Sequence, residues 1–516
     1  MPPTFVRIAQ WPRRLEVPDS RPIRDVVVAG GGIVGWSAAA ALRRHLPNVG
    51  VTVIADAPAP DALAERIGST LPSIAAFHGD LGLSEMNAVA RTASGYRVGT
   101  QFEGWAGNRP AYVHTYGEHG RPFGATSFHL YWHRVRQAGG TASFDTFSPA
   151  AELARMGRFV HPQGGPGSIL ASFEYGLQLN PARYLDLMRA FAVHLGAREH
   201  QAKIAQVDVR GEDGFVGGLR LDDGQVVTAD LFVDCTGPAA RIRSALDAKF
   251  EDWSCYLPCD RVILAEGTAP ASLPVMDSVV AMSSGWRWQA ASPARTSHGL
   301  VYASAHLSDS KAERALRVHS GAEPRGPAVA IRIGRRPDPW LRNCVAVGEA
   351  AVALEPLEWT NLHVAHSAID RIVAMMPDRE CAPIELAEFN RQSAAEAERI
   401  RDFLMLHYVT SDRREPFWRD AAAMRIPDGL AHTLRLFRER GRLPFQEEET
   451  FARDSWLSVL FGQGVLPHRA DPLTDALPIA RIEAAMGQMR DSIRAMASPL
   501  PTHADYLGNM MRRAVR

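Results

Sequence analysis

Lysine is nearly missing from this sequence. Of 57 lysine and arginine residues only Lys203, Lys249 and Lys311 are lysine. Cysteine is also scarce, with five residues (Cys235, Cys255, Cys259, Cys344, Cys381) in a chain of 516. An odd handful argues against a disulfide framework and places the expected setting in a reducing cytoplasm. Cys255 and Cys259 have no His/Cys pair at zinc spacing beside them, so no metal site is expected. Net charge is missing as well, because 57 acidic residues balance the 57 basic ones. That leaves no electrostatic footprint for nucleic acid or an anionic membrane. Long apolar runs are lacking too. The nearest, "VVVAGGGIVGWSAAAAL" (26–42), holds three consecutive glycines and follows Asp25, which no spanning helix would do. Upstream, "WPRRLE" is not followed by an apolar h-region, so no export signal is expected.

What is present begins with a glycine turn. "RDVVVAGGGIVGWSAAAALRRHLPNVGVTVIAD" reads as strand, turn, helix and strand. Gly30, Gly32 and Gly35 fit G-x-G-x-x-G, whose glycines let the backbone approach a pyrophosphate at the helix N-terminus. Asp56, closing the second strand, is placed to accept from a ribose hydroxyl. Two later segments select FAD over NAD. "GQVVTADLFVDCTGPAARIR" (224–243) is an apolar strand running into Thr236-Gly237. "NCVAVGEAAVALEPLE" (343–358) is a strand followed by Gly348-Glu349-Ala350-Ala351, similar to the G-D-A-A turn beside a flavin's ribityl chain. No second glycine-turn unit occurs, so the chain lacks its own NAD(P)H domain.

These segments, with "GGGIVGW" (30–36), "TLPSIAAFHGDLGLSE" (70–85), "YRVGTQFEGW" (96–105), "DWSCYLPCDR" (252–261), "GWRWQ" (285–289), "IRDFLMLHY" (400–408) and "SWLSVLFGQG" (455–464), are ordered and collinear. The chain resembles the flavin-dependent tryptophan halogenase family over most of its length. The resemblance implies an α/β fold: a Rossmann-like FAD domain of the GR2 flavin monooxygenase type, a mixed-sheet substrate region and a mainly helical C-terminal subdomain. The corresponding boundaries are an N-terminal extension over 1–24, the FAD-binding part over 25–375 and the helical cover over 376–516. It also implies that a separate NAD(P)H-dependent flavin reductase supplies FADH2, which captures O2 as a hydroperoxide. Chloride or bromide then yields hypohalous acid, which travels a tunnel to a lysine beside an aromatic small molecule, free or tethered. A homodimer is compatible with the family.

Several positions depart from the pattern. The lysine segment resembles F-K-L-G, and here it is Tyr96-Arg97-Val98-Gly99. A lysine amine can lose its proton in an apolar pocket, whereas a guanidinium stays protonated. None of the three lysines offers a substitute. In "LEPLEWTN", Glu358 matches the assisting glutamate, but Trp359 replaces a small serine. Thr360 and Asn361 fall where backbone amides hold halide, with Asn361 replacing a small residue. "GRPFGA" is matched to H-x-F-G, so Arg121 takes the histidine position and Phe123 keeps the aromatic. "IGSTLP" lacks the glutamate of G-E-A-T-I-P. "GWRWQ" resembles W-x-W-x-I-P, a wall between flavin and substrate, with Trp286 and Trp288 on one strand face. Ala290-Ala291 stands in place of Ile-Pro.

After residue 375 the periodicity becomes helical. By the resemblance, Phe451 and Trp456 sandwich the substrate ring. The tail "ADYLGNMMRRAVR" (504–516) is expected at the surface. Three functions are open: a flavin-dependent oxygenase using Arg97 and Glu358 on an indole- or phenol-like ring, a halogenase whose Arg97 positions HOCl or HOBr, and a flavin-binding homologue without turnover.

Overall fold

Val26, Val27 and Val28 are all buried, because their strand is covered on both faces: Val26 and Val28 share a core with Ile33 and Val34 of the following helix, and Val27 with Val216, Leu219 and Leu221 of a small antiparallel sheet. The computed structural model describes residues 21–165 and 167–514, so residues 1–20 of the expected N-terminal extension lie outside the described residues. In chain order, the elements that build the site begin with β1 (Asp25–Ala29), α1 (Ile33–His45), β2 (Gly50–Ile54), β3 (Gly99–Glu103) and β4 (Tyr112–Thr115). They continue with β5 (Leu231–Asp234), β6 (Asp277–Met282), β7 (Gly285–Ala291), β8 (Cys344–Ala346), α2 (Thr360–Ala374) and α3 (Pro383–Val409).

β1 pairs in parallel with β2 on one side and β5 on the other, and β5 pairs in parallel with β8. Trp340–Leu341 and Arg198–His200 complete a six-stranded sheet, which is parallel except at the Trp340 edge. This is the dinucleotide-binding arrangement read from the glycine turn, and α/β with mixed sheets describes the whole chain.

The second sheet has seven strands. Its centre is the antiparallel hairpin β6–β7, with β3 joined to β6 in parallel and β4 antiparallel to β3. The register sets Asp277 opposite Thr100 and Trp288 opposite Gly299. Trp288 lies on Gly299, where an added Cβ would come within 2.0 Å of the indole. Lacking the expected Pro, β7 keeps its ladder through Ala291, which pairs with Thr296.

The helices beyond 376 share one core with this sheet: Phe102 and Trp286 belong to the same buried cluster as Phe403, Leu404, Phe451 and Trp456. The last turns of α3 are buried all round, from Ile400 through Tyr408. The tail behaves differently from its sequence expectation. Helix His503–Ala514 docks with His503 and Leu507 buried, and Tyr96 N–H donates to His503 Nε2 at 3.0 Å. Tyr506, Met510 and Met511 pack against the same core, so the helix is amphipathic with one apolar face inward.

An added Cβ at Gly35 would stand 1.9 Å from the Gly30 carbonyl oxygen. Gly35→Ala is therefore expected to open the glycine turn, lowering the melting temperature and abolishing FAD retention. Thermal unfolding and flavin content after gel filtration measure both.

Candidate active site

Arg97 lies where the chain passes from the short strand Gly95–Arg97 into β3, and its side chain is 1% exposed. All four Nη hydrogens are engaged. Nη1 donates to the Thr70 carbonyl at 2.6 Å and to the Tyr116 hydroxyl, and Nη2 to the Gly99 carbonyl at 3.1 Å and Thr100 Oγ1 at 2.9 Å. Nε stands 2.7 Å from Asp277 Oδ2. Burial works against the guanidinium charge, but Asp277 and Tyr116 outweigh it and hold Arg97 above its ordinary range. Burial also pushes the Asp277 carboxyl up, with Arg97 pulling it back. The pair is ionised, because a guanidinium does not surrender its proton. Lys203, Lys249 and Lys311 are all exposed.

Glu358 is fully buried at the turn before α2. Its Oε1 lies 2.8 Å from His114 Nδ1 on β4 and 3.2 Å from His407 Nε2 on α3. Burial alone would raise this carboxyl, yet the charge and hydrogen bonds of the two histidines hold it down at about 2. His407 is lowered by burial, and its Nδ1 meets the Tyr112 hydroxyl at 3.2 Å. Glu358 and Trp359 both have left-handed backbone, with φ of 60° and 64°. Two successive bulky residues in that region cost about 1–3 kcal/mol each and persist only where surroundings over-determine them. Here the histidines fix one side chain and Thr100 the other, since Trp359 Nε1 donates to Thr100 Oγ1 at 3.0 Å.

Trp359 extends the row of buried tryptophans begun by Trp286 and Trp288. Its ring meets Trp288 edge to face at 5.8 Å, Trp286 and Trp288 are 5.8 Å apart, and Trp286 Nε1 donates to the Tyr408 hydroxyl at 3.0 Å. The Arg97 guanidinium carbon is 5.7 Å from the Trp359 ring centre. Wall and cation are thus in contact through the residue that replaces serine.

At the nucleotide end, Gly30 has φ +122°, and a Cβ there would strike the Cys235 carbonyl at 2.4 Å. Asp56 receives the Gly31 N–H on its backbone carbonyl at 2.7 Å, while its carboxylate faces Arg241 at 3.4 Å. Gly237 and Gly348 take φ of +72° and +63° at the ends of β5 and β8, and Ala350 is buried in the turn that follows. Glu349 accepts from Ala64 N–H at 2.8 Å, and burial raises it to about 8. The start of α1 is visibly an anion seat, because the Glu65 carboxylate accepts from the amides of Ile33 and Val34 and touches the space above Gly32. The cradle fits FAD once that carboxylate moves aside.

Other expected residues lie elsewhere. Arg121 is exposed and donates to the Gly167 carbonyl, and Phe123 packs on Tyr131 at 4.8 Å, both apart from the buried group. His114-Thr115-Tyr116-Gly117 carries the H-x-F-G pattern with tyrosine for phenylalanine, and this is the copy set against Glu358. That signal was available in the sequence, whereas Asp277, Thr100 and His407 carry none. Phe451 and Trp456 line a cavity of about 310 Å³ with Arg399, Glu449 and Arg453. The ring in contact with both is the chain's own Phe403, stacked on Phe451 at 3.9 Å and edge-on to Trp456 at 5.2 Å. At the start of α2, Thr360 Oγ1 and Asn361 Oδ1 are buried without partners, while Asn361 Nδ2 donates to Leu354 O at 3.1 Å. The first amides of α2 have no intrahelical acceptor and suit a halide, but an unpaired amide oxygen beside them does not.

The family model described as tryptophan halogenase matches residues 25–479. The fold is similar to that of BrvH, a flavin-dependent halogenase from Brevundimonas sp. BAL3, with 36% identity and a TM-score of 0.89 over 95% of this chain and 99% of that one. Xcc4156, a flavin-dependent halogenase from Xanthomonas campestris, matches at 32% identity and TM-score 0.89 with the same coverage. Tryptophan 7-halogenase RebH of Lentzea aerocolonigenes is 27% identical over 94% of this chain and 98% of its own length. No helix among the described residues is long and apolar enough to cross a membrane.

Burial holds the Glu65 carboxyl above its ordinary range, against the pull of the Val34 and Ile33 amides. Protonating it removes a negative charge from the seat a phosphate needs, so flavin affinity is expected to rise as pH falls from neutrality. Glu65→Gln is expected to tighten FAD at neutral pH by roughly tenfold, ~1.4 kcal/mol of relieved repulsion, and to flatten that pH dependence. Fluorescence titration with FAD across the neutral-to-acid range checks both.

Proposed function

The chain belongs to the tryptophan halogenase family, and from that premise we propose a flavoenzyme that oxidises an indole- or phenol-like ring without lysine-borne halogen transfer. As a member of this family it is a flavin-dependent oxidoreductase; the family's enzymes are two-component systems that use FADH2, O2 and halide with a separate flavin reductase. Bound reduced FAD would supply the electrons that convert dioxygen into the oxidant. Gly30, Gly32, Gly35 and Asp56 would hold its nucleotide end, and Gly237 and the Gly348–Ala350 turn its ribityl side. Trp286, Trp288 and Trp359 separate that region from the aromatic side and exclude water. Phe451 and Trp456 offer the substrate ring apolar faces beside Arg399 and Arg453.

The observation that carries this reading is the condition of Arg97. An ammonium in its place could deprotonate and bind the halogen through nitrogen. The guanidinium cannot, and its four Nη hydrogens are already given to Thr70, Tyr116, Gly99 and Thr100. The halogenase names of the relatives at 36% and 32% identity favour a second reading, in which Arg97 hydrogen-bonds HOCl or HOBr and Thr360 and Asn361 hold the halide. That reading needs one of the Arg97 donors to be released.

Purified protein with a flavin reductase, NADH, O2 and bromide or chloride is expected to convert indoles and phenols to oxygenated, halogen-free products, read by mass spectrometry. Halogenated product in comparable amount overturns the proposal in favour of the second reading. Arg97→Lys is expected to gain halogenation. It should also lose about 2–4 kcal/mol of stability in denaturant unfolding, because an ammonium cannot reach every acceptor the fork satisfies.

A further inference from the structure

We propose that His114 is the base that receives the proton given up by the aromatic substrate, and that Glu358 is its positioning carboxylate. The inference rests on the reading of this site as one that oxidises an electron-rich ring.

Both side chains are 0% exposed, and Glu358 Oε2 and His114 Nε2 are each buried without a partner. Glu358 Oε1 is shared by His114 and His407, and a carboxylate held down at about 2 is a poor proton acceptor. The bond to Glu358 occupies His114 Nδ1 at 2.8 Å, which assigns the imidazole proton to Nδ1 and leaves Nε2 as the acceptor. Nε2 is buried and has no partner. The rings around His114 are Tyr116 at 5.7 Å, Phe403 at 5.6 Å and Phe451 at 6.0 Å. Phe451 also lines the 310 Å³ cavity. The contacts run from the cavity-lining Phe451 to His114 and from His114 to Glu358. A buried imidazole nitrogen with nothing to bind costs about 1–3 kcal/mol, which a fold retains where a ligand completes it.

The step balances without a further reagent. After the oxidant has added to a ring carbon, the C–H bond there breaks, its electron pair restores aromaticity and the proton passes to Nε2. The imidazolium so formed still donates Nδ1–H to the Glu358 carboxylate, which offsets its charge. For a phenol, the O–H proton takes the same path. The other titratable or charged groups near His114 are His407 across Glu358, His119, Tyr116 and, through Tyr116, Arg97.

Two measurements on the full chain test the assignment. In the first, p-nitrophenol is the probe and its phenolate absorbance the readout. Wild type is expected to raise the phenolate fraction on binding, His114→Gln to bind without doing so, and Glu358→Gln to show an intermediate rise. Failure of the probe to bind, or equal ionisation in wild type and His114→Gln, overturns the proposal. In the second, reductase-coupled turnover by His114→Ala is expected to fall about 10²- to 10⁴-fold. Flavin retention should stay at the wild-type value while the melting temperature falls, because Glu358 loses a buried partner, and added imidazole should restore part of the rate. Turnover within threefold of wild type, or loss that imidazole does not restore, overturns it. Absence of any aromatic turnover by wild type, with probe ionisation intact, counts against the proposed reaction and not against His114 as the base.

Discussion

The buried pair of Arg97 and Asp277 is the constraint around which the rest of the site is arranged. Neither side chain is more than 3% exposed, so both charges have been taken out of water. Removing one partner from such a pair costs about 3–5 kcal/mol, because the other is left buried and uncompensated. The pairing follows from sheet register. β6 lies parallel to β3 with Asp277 opposite Thr100, and Arg97 precedes β3 by two residues. One side of the guanidinium faces the carboxylate, and its two amino groups face acceptors that β3 and the neighbouring loop provide.

A second charged centre, Glu358 with His114 and His407, is tied to the first through two hydroxyl groups. Thr100 Oγ1 accepts from both Arg97 and Trp359. Tyr116 accepts from Arg97 and stands edge-on to His114. The left-handed turn at Glu358–Trp359 is pulled from both sides by these contacts. Substitutions at Arg97, Thr100, Trp359 or His114 therefore will not act independently, since residues in one network share its energetic consequences. The tryptophan pair joins the same network through Trp288 and Trp359. Where Ile-Pro was expected, Ala290 and Ala291 stay in the ladder.

How much of this was legible beforehand depends on whether the physics is local. The glycine turn was readable because strand, turn and helix follow one another within a few residues. β1, α1 and β2 form where the pattern set them, and the replacements at Arg97, Trp359 and Ala290-Ala291 were visible inside short motifs. The partners were not. Asp277 sits on a strand remote in sequence from Arg97, and its role depends on register, which no local pattern encodes. His407 lies in a helix whose buried run looks like plain core. The assignment of H-x-F-G to Arg121–Gly124 shows the opposite hazard: two copies of one pattern lie seven residues apart, and only packing decides between them. The tail was misjudged because its basic residues read as surface until the docking face of the helix is known.

Low lysine content invites the view that Arg97 is a neutral exchange of one cation for another. The surroundings argue against it. An ammonium carries three donors on a single nitrogen, whereas Arg97 faces five acceptors set in two directions: Asp277 on one side and Thr70, Tyr116, Gly99 and Thr100 on the other. Such a set matches a planar fork and would leave a lysine with unmet carbonyls in a dry pocket. The Trp359 indole hydrogen-bonds the same threonine as the guanidinium. Cation and indole share the Thr100 hydroxyl, and the Asp277 carboxylate lies 2.7 Å from the guanidinium, so the pocket is built for a fixed positive charge and not for a nitrogen that gains and loses a proton.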